Sequence, residues 1–226
     1  MRIVTAIHNA EGRGYDAMAA NMLRSVMDCG YNGSVYALSE DPMTRYEGNH
    51  SYFVPCFFKP QIILRALNEF PDDVLWLDSD CLMRARVDEI LDDCDVAVTL
   101  RRFDLSKGLR SLYDGYLNAG VMAFRNNNSV RDFINLWIAE FGKENDGQNS
   151  DQMGLNRLLI GYSPMQKYGE IFEVEGTRVK ILDCDTYNFF YFDESPERVG
   201  QAKILHVKGS LRARHYQHAL TIAGIR

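Results

Sequence analysis

Asp78-Ser79-Asp80 directly follows the apolar run VLWL of residues 74–77. A short run that is apolar at every position reads as a strand covered on both faces. Two carboxylates leaving the carboxyl end of such a strand lie where open α/β sheets bind their ligands. Packing alone gives no reason for the pair. Carboxylate oxygens suit a hard divalent ion such as Mg²⁺ or Mn²⁺. An ion held there can bridge two phosphates and neutralise the charge on a departing diphosphate. The plain alternative is a polar strand end with Asp78 capping the next turn. A second chemistry also uses two such aspartates, phosphoester hydrolysis with Asp78 as nucleophile. That pattern places the pair near the chain start and follows it with Gly or Thr, whereas Cys81-Leu82 follows here.

The elements that position this pair follow from the hydrophobic pattern. Residues 2–7 (IVTAIH) read as a buried strand closed by His8-Asn9. Residues 15–27 carry Met18, Met22, Leu23 and Val26 on one helical face, and Gly30 ends that helix. Strands are expected over 34–38 and 52–56, and a helix opening at Pro60. After residue 100 a strand is expected over 121–124 and a helix over 130–141. A further helix is expected over 150–160, with Ser150 as its N-cap. A hairpin then turns at Glu175-Gly176, and a last strand covers 203–207. Alternating strands and helices predict an α/β layered fold.

The chain has 226 residues, 46% hydrophobic and 25% charged, with neither repeat nor Pro/Gly-rich linker, so one domain over 1–226 is expected. The net charge of −6 argues against bulk binding of nucleic acid. Five scattered cysteines (Cys29, Cys56, Cys81, Cys94 and Cys184) form no CxxC pair. They read as core residues of a reducing compartment. No signal-peptide core or membrane-spanning run is seen, and a cytoplasmic, soluble protein is expected. The basic tail with Arg212, Arg214 and Arg226 permits a peripheral membrane contact. Arg101, Arg102 and Arg110 read either as a solvated loop face or as part of a lid.

Five stretches resemble the GT-A nucleotide-diphospho-sugar glycosyltransferases, most closely family 8, which includes bacterial lipopolysaccharide galactosyltransferases and glycogenin. IVTAIHN followed by Tyr15 and LRSV is similar to that family's nucleotide-binding strand and first helix. Residues 59–83, KPQIILRALNEFPDDVLWLDSDCLM, resemble its helix, strand and D-x-D. YLNAGVMAFR (116–125) resembles its N-[SA]-G-V strand, and SDQMGLNRLL (150–159) its D-Q-x-x-L-N helix. His206, Gly209 and Arg212 fall at the spacing of its H-x-x-G-x-x-K. Their order along the chain makes the resemblance specific where each motif alone is not.

The resemblance implies a GT-A fold with a mixed, mostly parallel central sheet. Residues 1–100 would be the nucleotide-binding half and 101–226 the sugar and acceptor half. It implies Mn²⁺, or Mg²⁺, on Asp78, Asp80 and His206, an O/O/N set that suits Mn²⁺ better. Thr5, Ala6, His8, Asn9 and Tyr15 would meet the nucleobase. Asn118, Ala119 and Gly120 would face the donor sugar, with Gly120 allowing close backbone approach. Gly209 and Arg212 would hold the diphosphate, Arg212 standing where the family has Lys. The Pro-Trp that usually follows is absent. The family's Arg on the helix before D-x-D is also absent, Gln61 standing at its spacing, and Lys59 or Arg65 would substitute. Asp151 and Gln152 would sit under the sugar ring, where positive charge builds in the transition state.

The expected activity is transfer of a sugar from a nucleoside diphosphate sugar, a UDP-sugar first, to a hydroxyl of a glycan, lipid-linked or protein acceptor. Family 8 implies retention. Inversion would instead make Asp151 the base. The phosphohydrolase and a silent nucleotide-sugar-binding module are the alternatives.

Overall fold

The computed structural model describes residues 1–8, 15–38, 54–101, 117–140, 151–162, 167–193, 195–209 and 211–225. In chain order the elements are β1 (Arg2–His8), α1 (Tyr15–Asp28), β2 (Asn32–Leu38), α2 (Val54–Glu69), β3 (Val74–Leu77) and β4 (Cys81–Met83). There follow β5 (Val96–Leu100), β6 (Leu117–Phe124), α3 (Asn128–Glu140), α4 (Asp151–Ile160) and β7 (Ile171–Val174). Last come β8 (Thr177–Asp183), α5 (Cys184–Tyr187), β9 (Ile204–His206) and α6 (Leu211–Ile222).

Seven strands form one sheet in the order β2-β1-β3-β6-β5-β8-β7. β1 pairs in parallel with β2 and β3, and β5 with β8, while β6 runs antiparallel to both its neighbours and β7 antiparallel to β8. Five of the seven strands therefore share one direction, the mostly parallel sheet expected. β3, β5 and β6 are buried at every position because apolar layers cover both faces. Val74 and Trp76 pack into the layer holding Ile63, Leu67, Phe133 and Trp137 of α2 and α3. Leu75 and Leu77 point the other way, onto Met22 and Val26 of α1. A third cluster joins Phe189 and Leu205 to Ala219 and Leu220 of α6.

Two expectations are corrected. Residues 54–56 are helical, not part of a strand, and Pro60 lies inside α2 rather than at its start. Proline lacks the N–H of one helical bond, yet the helix persists because Ile62, Ile63, Ala66 and Leu67 are buried against the sheet. Local β propensity around residues 52–56 yields to that packing. The hairpin turn is as expected, with Glu175 and Gly176 both at positive φ (46° and 80°), as a two-residue turn between twisted strands requires.

β4 and β9 form a separate two-stranded ribbon whose register sets Cys81 opposite His206. This pairing brings the end of the chain to the D-x-D turn. Val207 N donates to the Asp80 carbonyl at 3.0 Å and His206 N to the Phe189 carbonyl at 2.8 Å. Among the described residues no helix is long and apolar enough to cross a membrane, and Cys29, Cys81, Cys94 and Cys184 are free.

Candidate metal and nucleotide-sugar site

Asp78, Asp80 and His206 meet at the carboxyl end of β3. Each has one atom tethered and another turned inward. Asp78 Oδ1 accepts from Trp76 Nε1 at 2.9 Å and faces Lys59 Nζ at 3.0 Å. Asp80 Oδ2 accepts from Arg212 Nη2 at 2.7 Å and from Nε at 2.9 Å. His206 Nδ1 lies 2.8 Å from Asn188 Oδ1. The remaining atoms converge: His206 Nε2 is 3.2 Å from Asp80 Oδ1 and 3.8 Å from Asp78 Oδ2. Ligand atoms about 2.1 Å from an octahedral ion lie about 3 Å apart; the His206–Asp80 separation matches this, and Asp78 stands farther off.

Asn188 decides which imidazole nitrogen faces the acids. Its Nδ2 donates to Thr99 Oγ1 at 2.7 Å, and Thr99 Oγ1 donates to the Asn118 carbonyl at 2.8 Å. The single hydroxyl proton of Thr99 is thus committed, and Thr99 must accept from Asn188. The amide oxygen of Asn188 therefore points at His206 and requires a proton on Nδ1. This leaves Nε2 as the nitrogen available to a ligand. Asn188 and Thr99 are fully buried, so water does not substitute for either partner.

Among the described residues, the acid, thiol and imidazole groups that bring ligand atoms within 4.8 Å of one another are Asp80, Cys81 and His206, without Asp78. The Cys81 thiol is a poor member of the set. Burial, with Asp80 and Asp78 nearby, raises its pKa well above the ordinary thiol value. Its Sγ points at the Gly120 carbonyl at 3.7 Å. Burial would also raise Asp80, but His206 and Arg212 outweigh it and bring that carboxyl down to about 2. Asp80 is thus an anion at neutral pH, as a ligand must be.

Behind the acids lies Lys59, buried on α2. Its Nζ reaches Asp151 Oδ2 at 2.5 Å, Asp78 Oδ1 at 3.0 Å and the Ala119 carbonyl at 2.9 Å. Of the two residues expected to substitute for the family's Arg, Lys59 is the one that lies against these acids. Arg65 is exposed and paired with Glu69 at 2.6 Å. Asp151 is only 3% exposed, and its pKa is raised by burial against the opposing pull of Lys59. The Asp151 carboxylate is thus engaged by Lys59 rather than presented to a ligand. Its neighbour Gln152 is partly exposed, and its Oε1 accepts from Arg101 Nη2 at 3.3 Å and Ala119 N at 3.4 Å. Trp137 Nε1 donates to the Asp151 carbonyl at 2.8 Å and Asn156 Oδ1 accepts from Leu117 N at 3.3 Å, which pins the start of α4 to its neighbours.

Asn118, Ala119 and Gly120 are buried on β6 where its register with β5 shifts. Asn118 Oδ1 accepts from Gly120 N at 2.9 Å. The close approach expected at Gly120 is made by the imidazole: a Cβ there would lie 2.3 Å from His206 Cε1 and 2.5 Å from Nδ1. Gly209 has φ +57° and turns the chain into α6, which carries Arg212 to Asp80. Ser79 is buried in the turn between the two acids. Thr5 is fully buried on β1, and its Oγ1 has no hydrogen-bond partner among the described residues. Ala6 lies beside it and is partly buried. Asn9, Arg102, Arg110, Tyr116 and Ser150 lie outside the described residues, as do the side chains of His8, Tyr15 and Cys56.

The sequence reading missed Asn188, Thr99 and Trp76. Asn188 had one available signal, a lone amide heading the aromatic run Phe189–Phe192.

No protein-family profile and no curated protein matches the chain. Solved structures do. The chain is similar to a glycosyltransferase involved in the glycosylation of the major capsid of PBCV-1. TM-score is 0.60 and identity 16%, over 96% of this chain and 97% of that one. The GT-A glycosyltransferase fold is the fold of this chain. The galactosyltransferase LgtC, solved with donor and acceptor sugar analogs, matches at TM-score 0.59 and 15% identity, over 99% of this chain and 95% of that one. The apo-form glycosyltransferase GlyE of Streptococcus pneumoniae TIGR4 matches at TM-score 0.59 and 15% identity. All of this chain is covered there, but only 60% of GlyE. In this GT-A sheet Asp78 ends the third strand of the chain, not the first. An aspartyl phosphohydrolase nucleophile would be expected near the chain start.

Proposed function

We propose that the protein is a metal-dependent glycosyltransferase. It would move a sugar from a nucleoside diphosphate sugar, a UDP-sugar first, to an acceptor hydroxyl with retention of configuration. The carrying observation is that His206 Nε2 lies 3.2 Å from Asp80 Oδ1 and 3.8 Å from Asp78 Oδ2, each on a side chain tethered elsewhere. Two oxygens and an imidazole nitrogen suit Mn²⁺. Bound there, the ion supplies charge neutralisation for the leaving diphosphate. The similarity to glycosyltransferase structures supports the same reading, at the level of fold.

The protein side chains then divide the work. Arg212, partly exposed and bound to Asp80, is the guanidinium that would meet a phosphate oxygen. Lys59 holds Asp78 and Asp151 in place and screens their mutual repulsion. Gln152 lies at the open side of the site and supports the sugar ring with its amide dipole. The bond from the sugar C1 to the diphosphate oxygen breaks, and a bond from C1 to the acceptor oxygen forms on the same face. The acceptor proton passes to an oxygen of the leaving diphosphate. Burial of Asp151 against Lys59 counts against a base role for it, which favours retention over inversion.

The test is incubation with UDP-glucose, UDP-galactose and their N-acetyl forms with Mn²⁺, followed by ¹H NMR. Release of UDP with an α-anomeric sugar product from an α-linked donor is expected. A β-anomeric first product would overturn retention. Phosphate release from simple phosphoesters, with no cleavage of any sugar nucleotide, would replace transfer by hydrolysis.

A further inference from the structure

Cys81 has no part in the reaction just described, yet it stands among the ligands. It faces His206 in the β4–β9 ribbon, and residues directly opposite each other in a ribbon share one face. Two backbone bonds fix the turn that presents it. Cys81 N donates to the Asp78 carbonyl at 2.9 Å, and Val207 N to the Asp80 carbonyl at 3.0 Å. Asp80, Cys81 and His206 are all buried. Among the described residues theirs is the one acid, thiol and imidazole cluster with ligand atoms mutually within 4.8 Å. Cys29, Cys94 and Cys184 belong to no such cluster.

A hard ion gains little from sulfur, whereas Zn²⁺ favours it. Thiolate, imidazole and carboxylate are the ligand types of zinc sites. Binding exchanges the thiol proton, released to water, for a bond from sulfur to the ion. The dication meets the charge left on sulfur, which offsets the burial that disfavours a bare thiolate there. Asp78 loses nothing by standing aside. Its Oδ1 keeps Lys59 at 3.0 Å and Trp76 at 2.9 Å.

We propose that Asp80, Cys81 and His206 form a Zn²⁺ seat that competes with the proposed Mn²⁺ site, so that Zn²⁺ inhibits the proposed transfer. The two sets share Asp80 and His206, so one ion excludes the other. They leave different room for the donor. An octahedral ion on three protein ligands keeps three positions for diphosphate oxygens or water. A tetrahedral Zn²⁺ on three protein ligands keeps one, too few to bridge two phosphates. The inhibition rests on the transferase reading, and the seat itself does not.

The test measures Zn²⁺ and Mn²⁺ affinities without nucleotide, against a chromophoric chelator, for unaltered protein, Cys81→Ser and Cys81→Ala. Groups that only orient a metal ligand govern affinity by about 10–100-fold. Loss of a ligand should therefore cost Zn²⁺ at least about tenfold, with Mn²⁺ affinity nearly unchanged. Cd²⁺, as a thiol-seeking probe, should give a sulfur-to-metal charge-transfer absorption that both variants lack. Zn²⁺ should also release bound Mn²⁺, read by electron paramagnetic resonance, and should weaken UDP binding in the presence of Mn²⁺. An unchanged Zn²⁺ affinity in the variants would overturn the seat, as would a Cd²⁺ absorption that survives in them. Equal losses for Zn²⁺ and Mn²⁺ would make Cys81 a part of the fold or of the Mn²⁺ site, which also overturns it. Mn²⁺ that stays bound in excess Zn²⁺ would overturn the competition. Absence of UDP binding with every ion would refute the transferase reading instead, and the seat is then decided by the Zn²⁺ affinities alone.

Discussion

His206 Nδ1 donates to Asn188 Oδ1 across 2.8 Å, deep in the protein. That bond turns Nε2 toward Asp78 and Asp80. Partners that orient a ligating imidazole typically govern metal affinity by about 10–100-fold. Asn188→Leu should therefore weaken Mn²⁺ binding by about that factor. Asn188→Asp keeps an oxygen toward His206 and should lose less. Free Mn²⁺ followed by electron paramagnetic resonance reads this directly. Unchanged affinity in Asn188→Leu would remove Asn188 from the account.

Gly120→Ala tests the packing of the same imidazole. The added methyl would overlap His206, whose Cε1 stands 2.3 Å from the Cβ position. The ring must move, and its bond to Asn188 with it. Loss of about 1–3 kcal/mol of stability is expected, together with loss of tight Mn²⁺ binding. Denaturant unfolding and metal titration would be run in parallel. A variant that keeps full Mn²⁺ affinity would show that the ring position is not limiting.

Lys59 is the only described cation in direct contact with the Asp151 carboxylate. Lys59→Met strands a buried carboxylate and should cost about 3–5 kcal/mol. Adding Asp151→Asn removes the stranded charge, so the double variant should recover part of the loss. A double-mutant cycle by urea denaturation measures the coupling. Strict additivity of the two substitutions would contradict the pairing.

Against its burial, first His206 and then Arg212 hold the Asp80 carboxyl low, and this carries a definite pH signature. Asp80 is held at about 2 against an ordinary 3.8. A carboxyl lowered on folding contributes stability that is fully present above its unfolded value. That contribution falls away as pH drops from 3.8 through about 2. The stability gap between unaltered protein and Arg212→Ala should therefore be constant near neutrality and shrink below pH 3.8. Urea denaturation at stepped pH checks it. A gap that widens in acid would carry the wrong sign.

How much of this was legible in the sequence depends on whether residues act alone or through pairing. VLWL and Asp78-Ser79-Asp80 announce a buried strand with acids at its end, because four apolar residues leave few other readings. Register across the short ribbon of β4 and β9 is not legible. Three residues per strand are too few to show alternation, so only the motif spacing connected His206 to Asp80. Asn188 was invisible for a similar reason: its role comes from Thr99, a β5 residue distant in sequence, and Asn118. Asp151 was singled out by its motif, but its burial behind Lys59 was not legible, because that depends on α2 and α4 lying side by side. Residues 54–56 misled through local β propensity that packing overrides.

Calorimetric titration of UDP into the protein with Mn²⁺, Mg²⁺ or EDTA, for the unaltered chain and Asp80→Asn, tests the central claim most directly. Binding that needs the divalent ion, is strongest with Mn²⁺ and is lost in Asp80→Asn is the predicted result. Equal binding in EDTA, or no binding of UDP or any other nucleoside diphosphate with either ion, would contradict it.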